Sequence, residues 1–284
     1  MTHGGAGFSL RGTSVPPKLS FLILAAATAL SAADFRFAIV GDNTGRAKPG
    51  IFEAVWQEVD KFKPAFTVSI GDVIEGRNDE TVDAEWNAVR PIYDRLGKYP
   101  RLFVAGNHDI WSEKSLKAYE KFTGRPAFYS FTYKSAHITV VDNSRTEALD
   151  EAQLAFLEKD LAANQDKALR FVFFHKPFWL IPLKLRSLNM PFHQMMKKYK
   201  VHSVFSGHVH QTHRIEREGI VYWCVPSSGG DLRGNDSFEQ GWFYGYVTAI
   251  VQNDKPSFTI HQLNGGRTLD AGAWGENGPG APKQ

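Results

Sequence analysis

The sequence predicts a protein of the α/β class, because short apolar segments typical of buried strands alternate with segments of helical period. Residues 35–40, 51–62 and 66–70 form a strand, an amphipathic helix and a second strand, which completes one β-α-β unit. The same order of apolar strand, polar turn and helix recurs at residues 102–122 and 170–199. The chain has 284 residues, enough for one large domain or two small ones, and shows no internal repeat or interdomain linker.

Each predicted element rests on the spacing of its apolar residues. Phe52, Val55, Trp56 and Val59 recur at intervals of three and four, which is the period of a helix with one buried face. His137 begins a strand, and we expect it to be structural. The predicted strands lie at residues 35–40, 66–70, 102–105, 127–133, 136–141, 170–174, 202–206, 220–225, 243–251 and 257–262, and the predicted helices at 51–62, 81–96, 112–122, 151–161 and 191–199.

The first 33 residues have the order of a secretory signal peptide. Arg11 and Lys18 precede an apolar run at residues 19–30, and small residues up to Ala33 follow it. Cleavage after Ala33 would start the exported, periplasmic or extracellular, protein at Asp34. The run is short for a membrane span, and an uncleaved membrane anchor is the alternative.

The mature chain is predicted to be one domain at residues 34–264, followed by a tail. Residues 265–284 are rich in Gly, Ala and Pro, which predicts a flexible segment. Removing residues 1–33 takes away two positive charges and no acidic residue, so the formal net charge falls from +3 to +1. That charge excludes a strongly basic nucleic-acid-binding surface, and no transmembrane helix is predicted after cleavage. The single cysteine, Cys224, excludes an intramolecular disulfide.

Side chains that bind metal ions follow five of the predicted strands. Open α/β sheets place their ligand sites at the carboxyl ends of strands, so these residues are expected to converge. Imidazole, carboxylate and amide groups suit Zn, Fe or Mn, and there are too many of them for one tetrahedral ion. Any one histidine here could be an ordinary turn residue, but the five segments together favour a shared site. The residues are Asp42; Asp72 and Glu75; Asn107 and His108; His175; and His208 with His210.

This five-part pattern resembles the calcineurin-like metallophosphoesterase superfamily over roughly residues 35–224. The matching motifs are Asp42, Gly71-Asp72-x-x-Glu75, Gly106-Asn107-His108-Asp109, His175 and Gly207-His208-x-His210. Residues 128–133 and 154–161 resemble the purple-acid-phosphatase-like and related exported branches. The resemblance implies a four-layer α-β-β-α sandwich, in which two mixed sheets face each other and a dinuclear metal site lies at one edge.

The resemblance also implies a role for each residue of the pattern. Asp72 would bridge two transition-metal ions, divalent or trivalent, whose identity as Zn, Fe or Mn stays open. His108 would be the general acid, and the Glu75 carboxylate would orient it. The implied ligands are Asp42 and His210 for the first ion, and Asn107, His175 and His208 for the second.

The sequence departs from the family pattern in its first and second motifs. The family often has Asp-x-His in the first motif, whereas Thr44 stands at the position of that histidine here. The first ion therefore lacks an obvious fourth ligand, which water, Thr44 or Asn43 could supply. The residues after Asp72 are Val73 and Ile74, where purple acid phosphatases supply a tyrosine, and Glu75 is one methylene longer than the usual aspartate.

The implied activity is hydrolysis of a small-molecule phosphate ester, either a monoester or a diester, by in-line attack of a metal-bridging hydroxide. Arg46, Arg77 and Arg233 lie in Gly-rich loops and are candidate phosphate contacts, with plain surface charge as the alternative. The apolar residues 178–183 could form a lip over the site or pack at a sheet edge. A non-catalytic metal-binding module that kept the fold is the second hypothesis, and the incomplete first motif is its only support.

Overall fold

Two six-stranded mixed sheets and six helices make up the part of the chain that the computed structural model describes, namely residues 1–3, 34–234, 236–263 and 266–280. In chain order the strands are β1 (Phe35–Val40), β2 (Phe66–Ser69), β3 (Arg101–Phe103), β4 (Tyr129–Tyr133), β5 (Ala136–Val140), β6 (Leu169–Phe173), β7 (Ser203–Ser206), β8 (His213–Arg217), β9 (Ile220–Cys224), β10 (Gly245–Gln252), β11 (Lys255–Gln262), β12 (Thr268–Asp270), β13 (Trp274–Gly275) and β14 (Gly278–Pro279). The helices are α1 (Ile51–Phe62), α2 (Val82–Asp94), α3 (Glu113–Thr123), α4 (Glu151–Ala163), α5 (Leu180–Lys184) and α6 (Pro191–Lys198).

Each sheet combines parallel and antiparallel strands. The first sheet has the order β12-β11-β10-β1-β2-β3, in which β1, β2 and β3 are parallel. The second has the order β4-β5-β6-β7-β9-β8, in which β5, β6, β7 and β9 are parallel. The carboxyl ends of parallel strands meet at one edge of a sheet, so both sheets collect the turns that follow these strands.

The central strands are buried on both faces, and the period of two sends alternate residues into different layers. In β1, Phe37 joins the core between the two sheets, whereas Val40 packs under the helices of the first sheet. In β6, Phe171 and Phe173 enter the same inter-sheet core, and Val172 packs on the opposite side. This pattern explains why the central strands are nearly continuous apolar runs.

Three apolar clusters separate four layers and confirm the predicted α-β-β-α sandwich. One cluster lies between the sheets and includes aromatic stacks such as Phe173 on Phe205, whose ring centroids are 4.7 Å apart. A second joins α1, α2 and α3 to the outer face of the first sheet. The third joins α4, α5 and α6 to the outer face of the second sheet, and the single cysteine, Cys224, is buried there.

The helix boundaries follow from local hydrogen-bonding groups. The Ser112 hydroxyl accepts from the Ser115 backbone N–H, so α3 begins with a capping box. Gly124 ends α3 with φ of 66°, a left-handed conformation that favours glycine. Asp150 caps α4 by accepting from the Gln153 backbone N–H at 2.9 Å.

The prediction of a flexible tail is wrong for residues 266–280. Strand β12 pairs with β11 at the edge of the first sheet, and a 3₁₀ turn and the β13-β14 hairpin follow it. Trp274 is 1% exposed and packs edge-on against Phe238, with ring centroids 5.4 Å apart. The Gly- and Pro-rich composition gave no indication that Trp274 is buried. One buried tryptophan is enough to hold a segment whose other residues are small. The domain therefore extends beyond residue 264.

The sequence analysis also missed two short elements. Strand β8 pairs with β9 through a tight turn at Glu218 and Gly219, but its alternating charged residues on a sheet edge resemble a loop. Helix α5 has only five residues, too few for a helical period to be visible. Trp179, Leu180 and Leu183 are buried in the third apolar cluster, so these residues of the 178–183 segment pack on the second sheet, whereas Ile181 is exposed.

The predicted signal peptide falls almost wholly on residues outside the described ranges. Among the residues that are described, no helix is long and apolar enough to cross a membrane.

Candidate metal centre

The predicted metal ligands converge at the carboxyl ends of strands from both sheets. Asp42 and Asp72 follow β1 and β2, Asn107 follows β3, and the three histidines follow β6 and β7. Two groups of possible ligands have their donor atoms within 4.8 Å of one another. They are Asp42, Asp72 and His210 in the first group, and Asp72, His175 and His208 in the second, so Asp72 belongs to both. This arrangement supports a dinuclear metal centre.

Glycines allow the strand ends to come this close. A Cβ on Gly106 would lie 2.2 Å from both the backbone nitrogen and Oδ1 of Asp72. A Cβ on Gly71, where φ is +99°, would lie 2.8 Å from His175 Nδ1. The glycine in each motif is therefore a spacing requirement between neighbouring ligand loops.

Three ligand residues have left-handed backbones, which is uncommon for residues other than glycine. The φ angles are 55° at Asp72, 68° at His208 and 59° at His210. Such a conformation costs about 1–3 kcal/mol and persists only when its surroundings hold it. Here the His108 backbone N–H donates to Asp72 Oδ1 at 2.8 Å, and the His208 N–H donates to Asp42 Oδ1 at 2.7 Å.

Backbone carbonyls orient two of the histidines. His175 Nδ1 donates to the Ile70 carbonyl at 2.9 Å, and His210 Nδ1 donates to the Asp231 carbonyl at 2.7 Å. Because Nδ1 carries the proton in a neutral imidazole of this kind, the lone pair lies on Nε2, as in many histidines that bind metals. His175 Nε2 lies 3.1 Å from Asp72 Oδ2. Two atoms bound to one ion at about 2.1 Å and a right angle lie about 3.0 Å apart, so this spacing fits shared coordination.

Four of the predicted ligands have a buried polar atom without a hydrogen-bond partner in the described part of the chain. A buried polar atom left unpaired costs about 1–3 kcal/mol, so several in one place require an explanation. Metal coordination satisfies all of them, and the residues present therefore fit the implied ions. The atoms are Asp42 Oδ2, Asn107 Oδ1, His175 Nε2 and His208 Nδ1.

Burial and neighbouring charges shift the pKa values of the carboxylates and imidazoles at the site. Burial raises the pKa of Asp42. Burial alone would lower the pKa of His175, but the nearby Asp72 and Asp42 carboxylates together outweigh burial and raise that pKa to about 9. Burial, followed by the charge of His175, lowers the pKa of His208 to about 4. Bound cations would keep the carboxylates ionised and the imidazoles neutral, which is the state that coordinates metal.

Asp109 is a positioning residue that the sequence analysis did not single out. Its buried carboxylate accepts from the backbone N–H groups of Asp72 at 2.7 Å, Val73 at 2.9 Å and Gly106 at 2.9 Å. Burial and the charge of Asp72 raise its pKa to about 7. Asp109 thus ties the second motif to the third. The available signal was its place in the motif Gly106-Asn107-His108-Asp109, directly after two predicted site residues.

The Glu75 carboxylate does not orient His108, which corrects the role that the resemblance implied. His108 Nδ1 contacts the backbone carbonyl of Glu75 instead. The carboxylate accepts from the backbone N–H groups of Gly45 at 3.0 Å and Ala47 at 2.7 Å. The longer Glu side chain reaches across to the first-motif loop, and the main chain of residue 75 takes over the contact with the imidazole.

The two candidates for the missing ligand of the first ion differ in position. Thr44 is buried, and its hydroxyl lies 3.3 Å from Asp72 Oδ2. The Asn43 amide donates to the Val73 carbonyl at 3.0 Å, so it is engaged outside the ligand group. Ser228 is buried beside the first motif and donates its backbone N–H to the Asp42 carbonyl at 2.9 Å.

The three predicted phosphate contacts are all exposed, and they differ in their surroundings. Arg46 forms an ion pair with Asp231. Arg77 makes no side-chain hydrogen bond or ion pair within the described ranges. Arg233 is close enough to His208 for its charge to lower the pKa of that histidine, and so is Lys176, which the sequence analysis missed. Lys176 directly follows His175 and is 9% exposed.

Solved structures similar to this chain share its fold. Purple acid phosphatase PPD1 from yellow lupin (Lupinus luteus) seeds has a TM-score of 0.65 at 17% identity, over 85% of this chain and 53% of that chain. GAP50, the anchor in the inner membrane complex of Plasmodium, has a TM-score of 0.60 at 16% identity, over 84% of this chain and 88% of that chain. At these identities the likeness shows the fold alone.

Two curated proteins are distant relatives. "Fe(3+)-Zn(2+) purple acid phosphatase 12" of Arabidopsis thaliana is 25% identical over 67% of this chain, and "Probable cyclic nucleotide phosphodiesterase" of Moraxella catarrhalis is 24% identical over 58%. The matches span 45% and 65% of the lengths of these two relatives. A family model described as calcineurin-like phosphoesterase matches residues 35–212, which include every ligand of the two groups. The chain belongs to the calcineurin-like phosphoesterase family.

Proposed function

We propose that the protein is a metal-dependent phosphoesterase that hydrolyses phosphate esters of small molecules with two transition-metal ions. The observation that carries this proposal is the pair of ligand groups that share Asp72. Carboxylate, imidazole and amide donors suit Zn, Fe or Mn. When bound, two such ions supply activation of water and stabilisation of the charge on the phosphoryl oxygens.

Asp72 would bind both ions, and the protein holds it in place from three directions. Its Oδ1 accepts from the His108 N–H, its Oδ2 lies beside the Thr44 hydroxyl, and its own N–H donates to Asp109. Asp42 and His210 would complete the first ion's protein ligands. Asn107, His175 and His208 would complete those of the second.

His108 would donate the proton to the leaving oxygen. Its Nδ1 contacts the Glu75 carbonyl, so Nε2 is the nitrogen that is free to carry the transferable proton. The partly exposed ring follows Asn107 directly, which places the acid beside the second ion's ligands. General acid catalysis of this kind contributes about 10²–10⁴-fold to the rate.

Lys176 and Arg233 are the cations that we assign to the phosphate oxygens. The Asn143 side chain accepts from the His175 and Lys176 backbone N–H groups at 3.2 and 3.1 Å, so Lys176 is held with the ligand His175. The Lys176 ammonium lies 2.9 Å from Glu147, which is largely exposed and can exchange this contact for a phosphate. Arg46 and Arg77 are less favoured, because Arg46 is paired with Asp231 and, in the described part of the chain, no hydrogen bond or ion pair connects the Arg77 side chain to a predicted ligand.

A panel of aryl and alkyl phosphate monoesters and diesters tests the proposal. The purified protein should contain close to two transition-metal ions and should hydrolyse at least one class. Comparing the classes separates a phosphatase from a phosphodiesterase, the two activities named for the relatives. Full metal content without turnover of any ester would favour the non-catalytic module instead.

We also propose that residues 1–33 direct export. The support is the order of charged, apolar and small residues in the sequence. Sequencing the amino terminus of the protein recovered from its native compartment should find Asp34 first. An intact amino terminus on membrane-bound protein would indicate an uncleaved anchor.

A further inference from the structure

We propose that a pocket between α2, β3 and α3 is a second anion site, which binds the phosphate group of a small molecule away from the metal centre. Arg90 lies in the last part of α2, Arg101 begins β3, and Arg125 follows α3. None of the predicted metal ligands lines this pocket. We call this pocket the arginine pocket.

The arginine pocket has the size and the charge of an anion site. Its volume is about 410 Å³, within the range of small-molecule sites. Three guanidinium groups line it, and Asp94 is the one carboxylate among the lining residues. The other lining residues are Tyr93, Phe103, Phe122, Thr123 and Gly124.

Each guanidinium lies over an aromatic ring. Arg90 lies 4.9 Å from the ring centroid of Phe122, and Arg125 lies 5.0 Å from that of Tyr129. Arg101 lies over Tyr93, and its Nη2 donates to the Tyr93 carbonyl at 3.0 Å. Stacking uses the face of a guanidinium and leaves the N–H groups on its edge available.

Two of these cations lack an ionic partner. The side chains of Arg90 and Arg125 make no hydrogen bond and no ion pair with any residue that the structure describes. By contrast, Arg95, which follows α2 directly, is paired with Glu53 at 2.7 Å. A guanidinium that lies over a ring and has unused N–H donors is available to bind phosphate through two of them at once.

The occupant that fits is a phosphate or organic phosphate, because the walls combine cations with the rings of Tyr93 and Phe122. Inorganic phosphate and phenylphosphonate are suitable probes. Phenylphosphonate has a C–P bond in place of the ester bond, so a phosphoesterase does not hydrolyse it. Binding of phosphate alone would indicate free phosphate as the ligand. Tighter binding of phenylphosphonate would indicate an organic phosphate whose ring contacts the aromatic wall.

Isothermal titration of the metal-loaded full chain tests the proposal. The natural protein should show two phosphate sites, one at the metals and one in the arginine pocket. The double variant Arg90→Gln/Arg125→Gln should lose the second site, with affinity falling at least about tenfold. The matched variant Arg95→Gln should keep both. Unchanged phosphate binding in the double variant, with an unchanged melting temperature, would refute the arginine pocket as an anion site.

A second titration separates this proposal from the proposed function. Asp72→Ala removes the ligand that both ions share, so its remaining phosphate binding should come from the arginine pocket alone. No phosphate binding by a folded Asp72→Ala protein would also refute the inference, whatever the activity of the natural enzyme.

Discussion

Replacing Gly106 with alanine should damage the metal centre without removing any ligand. The added Cβ would lie 2.2 Å from the Asp72 nitrogen and Oδ1, whereas ordinary contacts begin near 3.4 Å. The ends of β2 and β3 would therefore have to move apart by about 1.2 Å. They cannot do so freely, because the N–H groups of Gly106 and Asp72 both donate to the same oxygen of Asp109.

The expected losses of stability and turnover follow from this displacement. Overpacking of this kind costs about 1–3 kcal/mol of folding free energy, which lowers Tm by roughly 2–12 °C for a domain of this size. A misplacement of about 1 Å at a catalytic centre costs on the order of 10²-fold in rate. We therefore expect Gly106→Ala to keep its fold but to lose most of its metal content and at least about 99% of its turnover.

Elemental analysis, phosphate-ester turnover and thermal melting together measure this prediction. Gly97→Ala is the matched control, because a Cβ there meets only the side chains of Tyr99 and Asp60, at 3.0–3.2 Å. The control should keep its metal and its activity. If Gly106→Ala also keeps natural metal content, turnover and Tm, the close approach of the two motifs is not a constraint and our account of the site is wrong.

Four further predictions concern individual side chains of the centre. Asp72→Ala should lose both ions, because Asp72 is the residue shared by the two ligand groups; full metal content by elemental analysis would contradict the bridging role. The ion held by Asp42 and His210 should leave first during chelator titration, and Thr44→His should slow its loss; two equal sites in the natural protein would reveal a further ligand. His108→Ala should keep its metal and lose about 10²–10⁴-fold in turnover of alkyl esters, but much less with a nitrophenyl ester, whose leaving group needs little protonation. Glu75→Gln keeps the backbone carbonyl that contacts His108 and should leave this leaving-group dependence unchanged, whereas loss of the dependence would restore an orienting role to the carboxylate.

The sequence was sufficient to predict the layers of the fold and the members of the ligand set. Successive side chains of β1 and β6 point to opposite faces of their sheets, and this property of the strand backbone determines which apolar residues enter the inter-sheet core. Asp42, Asp72 and His175 were predictable as neighbours, since each directly follows a strand and the carboxyl ends of parallel strands meet at one edge.

Tertiary structure alone decided which groups support those ligands. Asp109 and Asp72 are 37 residues apart, and the oxygen of Asp109 meets the Asp72 N–H only after β2 and β3 have paired. The Glu75 carboxylate caps the loop at Ala47 rather than contacting His108, because loop paths, not residue type, set which donors lie within reach. Trp274 fixes the carboxyl-terminal strands through contact with Phe238, a neighbour in space that no local pattern identifies. Local sequence encodes the period of an element and the chemistry of its ends, whereas hydrogen bonds between loops depend on the packing of the two sheets.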